Sequence, residues 1–151
     1  MSARRAFPIT VIAALFLACS DSTGPKAGLS LAQLAGTWQL TDFRLQLVSD
    51  TTVQQDLVAS LGLSATLVIA TTGSATMTAS VRGEQPQSVP ATIALHCDTL
   101  RYTSQGGAFD FRVGLTGSRM TWRALYTAEV TDLTGDGVAD ETREAYGWQR
   151  D

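Results

Sequence analysis

The chain is poor in the residues that catalysis and nucleic-acid binding draw on. Among 151 residues it has one histidine, His96, and one lysine, Lys26. Its 11 basic residues face 14 acidic ones and form no basic stripe, so nucleic acid is not an expected partner. A serine-based triad would need that single histidine, and nothing around His96 resembles a nucleophile elbow. The cysteines number two, Cys19 and Cys97. His96 directly precedes Cys97, and neighbours on a strand point to opposite faces, so the imidazole is badly placed to act as a base for that thiol. No apolar run approaches the roughly 20 residues of a membrane-spanning helix. No helical run dominates and no internal repeat is present. These scarcities lead to the expectation of a non-enzymatic protein.

What is present begins at the N-terminus, MSARRAFPITVIAALFLAC. Arg4 and Arg5 supply a positive start, and Ile9 to Ala18 form an apolar run of about ten residues, the length of a signal-peptide core. The run ends in Phe16-Leu17-Ala18-Cys19. This resembles the lipobox of bacterial lipoproteins, in which a small residue precedes a cysteine that is acylated and becomes the new N-terminus. Phe16 departs from the aliphatic residue usual in that pattern. The resemblance implies removal of residues 1–18, lipidation of Cys19 with palmitate-like chains, and a membrane partner reached through the lipid. Ser20 after the cysteine resembles the signal for the outer membrane of the bacterial cell envelope, facing the periplasm. The rival reading is an ordinary secretory signal with a coincidental cysteine. Residues 19–30 follow as a tether, with SDSTGPKAG small, polar and broken by Pro and Gly. Two or more acyl chains, at about 0.8 kcal/mol per buried methylene, suffice to hold a protein on a membrane.

Residues 31–151 are expected to form one domain with a single core, in keeping with 44% apolar residues over the full chain. Without Arg4 and Arg5 the balance is 9 basic to 14 acidic, a net charge of −5, which argues against docking on anionic lipid. Cys97 is expected to be a small buried apolar side chain in a strand.

Period-two alternation recurs along this domain, broken by Gly, Ser, Thr and Pro. Leu29 to Leu34 reads as a short helical turn. A first strand spans about Thr37 to Val48, with Trp38 and Leu40 on one face. Phe43, Leu45 and Leu47 continue that face one residue out of phase, which calls for a bulge near Thr41-Asp42. Ser49 to Gly62 reads as a helix capped by Ser49 or Asp50. Strands follow over 64–70, 75–82, 88–97, 99–103, 108–115, 119–130 and 141–149. About eight strands with short turns make an all-β, antiparallel, up-and-down barrel the first choice, with one short helix inserted after strand 1. An open meander or sandwich is the alternative.

Gly36-Thr37-Trp38 adds a motif to the topology. LAGTWQL resembles the opening of lipocalin-like barrels, where Gly-X-Trp begins the first strand and the indole plugs one end. The resemblance implies a lipocalin-like domain with Trp38 as plug, a basic residue of the last strand (Arg150 or Arg143) packed on it, and a small apolar ligand inside. Phe111, Trp122 and Tyr126 are the candidate barrel-lining residues. Inward alanines at 75, 79, 91, 124 and 128 either leave room for a ligand or fit the taper of a filled barrel.

The sharpest constellation of acids is Asp132-Leu-Thr-Gly-Asp-Gly-Val-Ala-Asp140. Counting Asp132 as position one places Thr134, Asp136, the Val138 carbonyl and Asp140 at three, five, seven and nine, with Gly137 at six. This resembles a calcium loop, but Arg143 stands at twelve where a bidentate acid is expected. Structural calcium is one expectation here. A metal-free hairpin loop is the other, since Asp-Gly is a turn signal in its own right.

Together these readings predict an envelope-anchored lipoprotein whose lipocalin-like domain binds a small apolar ligand. The alternative is an interaction or scaffold module with a filled barrel and an envelope protein as partner.

Overall fold

A computed structural model describes residues 28–151; the expected signal segment, Cys19 and most of the expected tether lie outside the described residues. The chain runs α1 (Leu31–Leu34), β1 (Gly36–Leu47), β2 (Gln54–Asp56), α2 (Leu57–Leu61), β3 (Ser64–Ile69), β4 (Ser74–Ser80), β5 (Gln87–His96), β6 (Thr99–Ser104), β7 (Gly107–Thr116), β8 (Arg119–Ala124), β9 (Ala128–Thr131) and β10 (Asp140–Arg150).

Alternating strands with one apolar face cannot stay flat without exposing that face and two edges. Here they close. β1, β3, β4, β5, β6, β7, β8 and β10 pair in that order, all antiparallel, and β10 pairs back onto β1. The result is the eight-stranded antiparallel barrel expected from the alternation. Leu67, Ile93, Leu100, Phe111, Val113, Met120, Trp122 and Trp148 point into it and are almost fully buried. A buried large apolar side chain contributes about 1.5–3 kcal/mol, so this interior dominates the stability. Exposed ion pairs on the outer wall, such as Arg101–Asp110 at 2.8 Å, add little by comparison.

The bulge expected near Thr41-Asp42 is present. Leu40 pairs with Trp148 and Asp42 with Gly147, leaving Thr41 as the extra residue. The shift returns Phe43, Leu45 and Leu47 to the inward face, opposite Tyr146, Glu144 and Thr142. Past the bulge β1 stays paired with β10 but changes its other partner. The first part of β1 pairs with β3 (Gly36–Gln39), whereas Arg44–Gln46 pairs with β2. β9 covers the far side of β10 at the same level, so β2, β1, β10 and β9 form an extension above the barrel.

Three local expectations are corrected. The helix expected over 49–62 is confined to α2; Asp56 caps it, its Oδ1 accepting from the Val58 and Ala59 N–H groups, and Gly62 ends it at φ 60°. Asp50 instead closes a turn by accepting from the N–H and hydroxyl of Thr52. Residues 51–53 continue that turn, the Val53 N–H bonding to the Asp50 carbonyl at 3.0 Å, and β2 then pairs with the edge of β1 beyond the bulge. The strand expected over 119–130 is two strands, because the chain leaves β8 at Leu125, whose N–H bonds to the Asp110 carbonyl, before β9 pairs with β10. Cys97 is not a strand residue: it occupies the two-residue turn between β5 and β6 with φ 56°, and it is disulfide-bonded.

Candidate functional site

The two ends of the barrel differ in chemistry. At the end where β1 begins, Ser30 and Gln33 form a reciprocal cap on α1, each bonding to the backbone N–H of the other. Leu34 of that helix is fully buried, and its carbonyl accepts the Trp38 indole N–H at 2.8 Å. Of the two arginines expected to pack on Trp38, the structure selects Arg150: its guanidinium carbon lies 4.4 Å from the ring centroid. The same guanidinium donates to the Gln33 carbonyl. The Arg150 Nε has no hydrogen-bond acceptor among the described residues, and the π-face beneath the guanidinium partly makes up for this. Gly36 is favoured here by its φ of 138°, a backbone conformation that other residues rarely adopt. This end is a plug.

At the other end the inward side chains are aromatic, and half of them are only partly buried. Phe43 stacks on Tyr146 with centroids 4.3 Å apart. Phe109 and Tyr126 lie at 5.6 Å, and Phe111 meets Tyr126 and Tyr146 edge-on at 5.9 and 5.8 Å. Trp122 lies beneath, in contact with Tyr102, Phe111, Tyr146 and Trp148. The candidate lining residues are therefore brought together: Phe111 and Trp122 are 4% and 2% exposed and form the floor, while Tyr126 is half-buried at the rim. The interior below them is filled, with Trp38, Leu67, Leu100 and Met120 at 0% exposure. The Trp122 and Trp148 indole N–H groups are buried without an acceptor among the described residues, a cost of about 1–3 kcal/mol each. An open depression at the rim is lined by Ala108, Phe109, Asp110, Leu125 and Tyr126.

Sequence reasoning did not name Phe43, Phe109 or Tyr146 as lining residues, and it missed the acid of this site. Glu144 stands opposite Leu45 on the inward face, and its Oε2 accepts hydrogen bonds from the hydroxyls of both Tyr126 and Tyr146, each at 2.6 Å. Burial, followed by the hydrogen bond and negative charge of Glu144, pushes the Tyr126 hydroxyl well above its ordinary value. Burial, then the charge and hydrogen bond of Glu144, does the same to Tyr146, with smaller contributions from Tyr126 and Tyr102. Both tyrosines are thus fixed as donors toward the carboxylate. The alternation Glu144–Tyr146–Trp148 on the last strand was the available signal, since it places an acid in line with two inward aromatics.

The acidic loop of the β9–β10 hairpin is organised by hydrogen bonds. Asp132 accepts from the N–H groups of Gly135 (2.5 Å), Asp136 (3.2 Å) and Gly137 (2.7 Å), and from the Thr134 hydroxyl. Asp140 accepts from the N–H groups of Leu133 and Thr134, and Asp136 from that of Val138. The Gly137 bond is the largest of the influences that hold the Asp132 carboxyl below the usual aspartate range. Among the described residues no three acids, histidines or cysteines converge as a metal-binding group. No helix among them is long and apolar enough to cross a membrane.

No family model matches the chain, and no curated protein matches it significantly. Solved structures of similar shape include a de novo designed fluorescence-activating β-barrel, which is 12% identical and aligns over 82% of this chain and 99% of its own with a TM-score of 0.43. Another is EF1p2_mFAP2b bound to DFHBI, 15% identical over 80% of this chain and 97% of its own, with a TM-score of 0.45.

Proposed function

We propose that this is a non-enzymatic protein of the bacterial cell envelope whose barrel binds a small, largely apolar molecule at its aromatic end. The observation that carries the reading is the contrast between the ends: one is plugged by Trp38, Arg150 and α1, and the other presents half-buried rings around an open depression. Because the interior beneath Trp122 is packed, the ligand seat is a shallow cup at the mouth rather than a deep cavity. Native mass spectrometry of the full-length protein isolated from bacterial membranes tests this. A bound small molecule that is lost from a Phe109→Ala variant supports the reading. A protein that carries nothing and quenches no tryptophan fluorescence with any apolar probe overturns it.

The filled interior also favours a second reading, an interaction or scaffold module with no small ligand. Leu61 on α2 is 48% exposed and offers contact area outside the barrel. Cross-linking in membranes that recovers a specific envelope protein through α2, together with failure of the ligand tests, would favour it.

The envelope address rests on the signal-like N-terminus and the lipobox-like Cys19, which lie outside the described residues. A disulfide at Cys97 suits an exported protein, because such bonds persist in oxidising compartments. The rival to the lipid anchor is plain secretion with Cys19 not acylated. The intact mass of the mature protein separates the two. Added acyl mass with residues 1–18 removed supports the lipoprotein; no acyl mass supports plain secretion.

A further inference from the structure

We propose that the mouth of the barrel selects an organic cation of the quaternary or tertiary ammonium type, held by Glu144 and the surrounding aromatic faces. The inference deepens the small-ligand reading above and rests on it. Glu144 faces inward and bonds to Tyr126 and Tyr146, whose rings lie against Phe109 and Phe43, yet it enters no ion pair among the described residues. The ion pairs described there lie elsewhere, Arg44–Asp42, Arg101–Asp110 and Arg112–Asp98. Both tyrosine hydroxyls converge on Oε2, so Oε1 accepts no hydrogen bond from the described residues.

This arrangement aims a carboxylate into a partly dry setting and gives it no basic partner among the described residues. Two neutral donors fix its orientation, and they bring their own π-faces to the same place. A neutral apolar ligand gains nothing from the acid and must desolvate it. A compact alkylammonium gains twice, from the carboxylate and from rings whose faces attract cations within about 6 Å. An inorganic cation would prefer several oxygen ligands, which an aromatic rim does not offer. The geometry therefore fits a soft cation with an apolar shell.

Choline and its uncharged carbon isostere, dimethylbutanol, have the same shape and differ in charge. Titrating each into the full-length protein, with tryptophan fluorescence and calorimetry as readouts, tests the inference. We expect choline to bind at least about tenfold more tightly. The Glu144→Gln variant retains an acceptor for the tyrosines and should lose that discrimination. Should that variant fail to fold, Phe109→Leu serves in its place: it keeps apolar contact, removes a ring face and should weaken choline more than the alcohol. Equal binding of the two probes overturns the cation proposal while leaving the apolar-ligand reading intact. Discrimination that persists in both variants also overturns it, because the charge sensor then lies elsewhere. Binding of neither probe overturns the cation proposal, while the apolar-ligand reading falls only if native mass spectrometry and the apolar probes also find nothing.

Discussion

At the scale of single residues, the pairing of Trp38 with Arg150 decides how one end of the barrel is sealed. The guanidinium contributes a cation–π contact and a bond to the Gln33 carbonyl. Arg150→Ala should cost about 1–3 kcal/mol, read from urea midpoints. Arg150→Lys should recover only part of this, since an ammonium lacks the planar surface that stacks on the indole. Tyr126 and Tyr146 make a separate prediction about pH. Their hydroxyls are raised in the folded state, so the folded chain holds protons that the unfolded chain releases near pH 10. Stability from this source is fully present below about pH 10 and falls as pH rises further. Urea midpoints between about pH 8 and about pH 11 should decline for the natural sequence and much less for the Tyr126→Phe/Tyr146→Phe double variant.

Elements show why some local expectations held and others failed. The bulge at Thr41 was legible because Leu40 and Phe43 cannot share a face without one extra residue. Deleting Thr41 should turn Phe43, Leu45 and Leu47 outward. Three apolar side chains at about 1.5–3 kcal/mol each approach the whole stability of a small domain, about 5–15 kcal/mol, so the deletion should fail to give a cooperative unfolding transition by circular dichroism. The segment 49–62 misled because its apolar spacing at Val53, Leu57, Val58 and Leu61 fits a helix, while the demand for a partner along the outer edge of β1 comes from a distant bulge. The acidic loop carries its own test. Asp132→Ala removes the acceptor for three N–H groups and should lower the melting temperature at neutral pH. Because the Asp132 pKa is depressed in the folded state, the difference from the natural chain should fade as pH falls through that lowered value. Melting in calcium and in chelator should coincide, since backbone and hydroxyl donors already engage these carboxylates. A rise with calcium would assign the loop of Asp132, Thr134, Asp136, Val138 and Asp140 to the metal.

For the whole molecule, closure joins the two ends of the sequence. Most strand pairs are hairpin neighbours, but the seam sets Trp38 against Arg150 and Leu47 against Thr142. Such a seam carries a large loop-closure entropy and is expected to form late, on a millisecond-to-second scale. Stopped-flow measurements should find that Arg150→Ala mainly speeds unfolding and barely changes the folding rate. A folding rate lowered in proportion to the stability loss would place the seam in the nucleus instead.

The sequence by itself determined the alternation of the eight barrel strands, the bulge, the helical turn before Gly36 and the inward face of Trp38. Each follows from spacing along a few neighbouring residues, which backbone geometry converts directly into a face. Only the tertiary structure decided that Arg150 rather than Arg143 reaches Trp38, that residues 54–56 serve as an edge strand, and that Cys97 sits in a turn. It alone brought the hydroxyls of Tyr126 and Tyr146, from different parts of the chain, together on Glu144. Those outcomes depend on register across a closed sheet, where a partner far away in sequence fixes what each side chain meets.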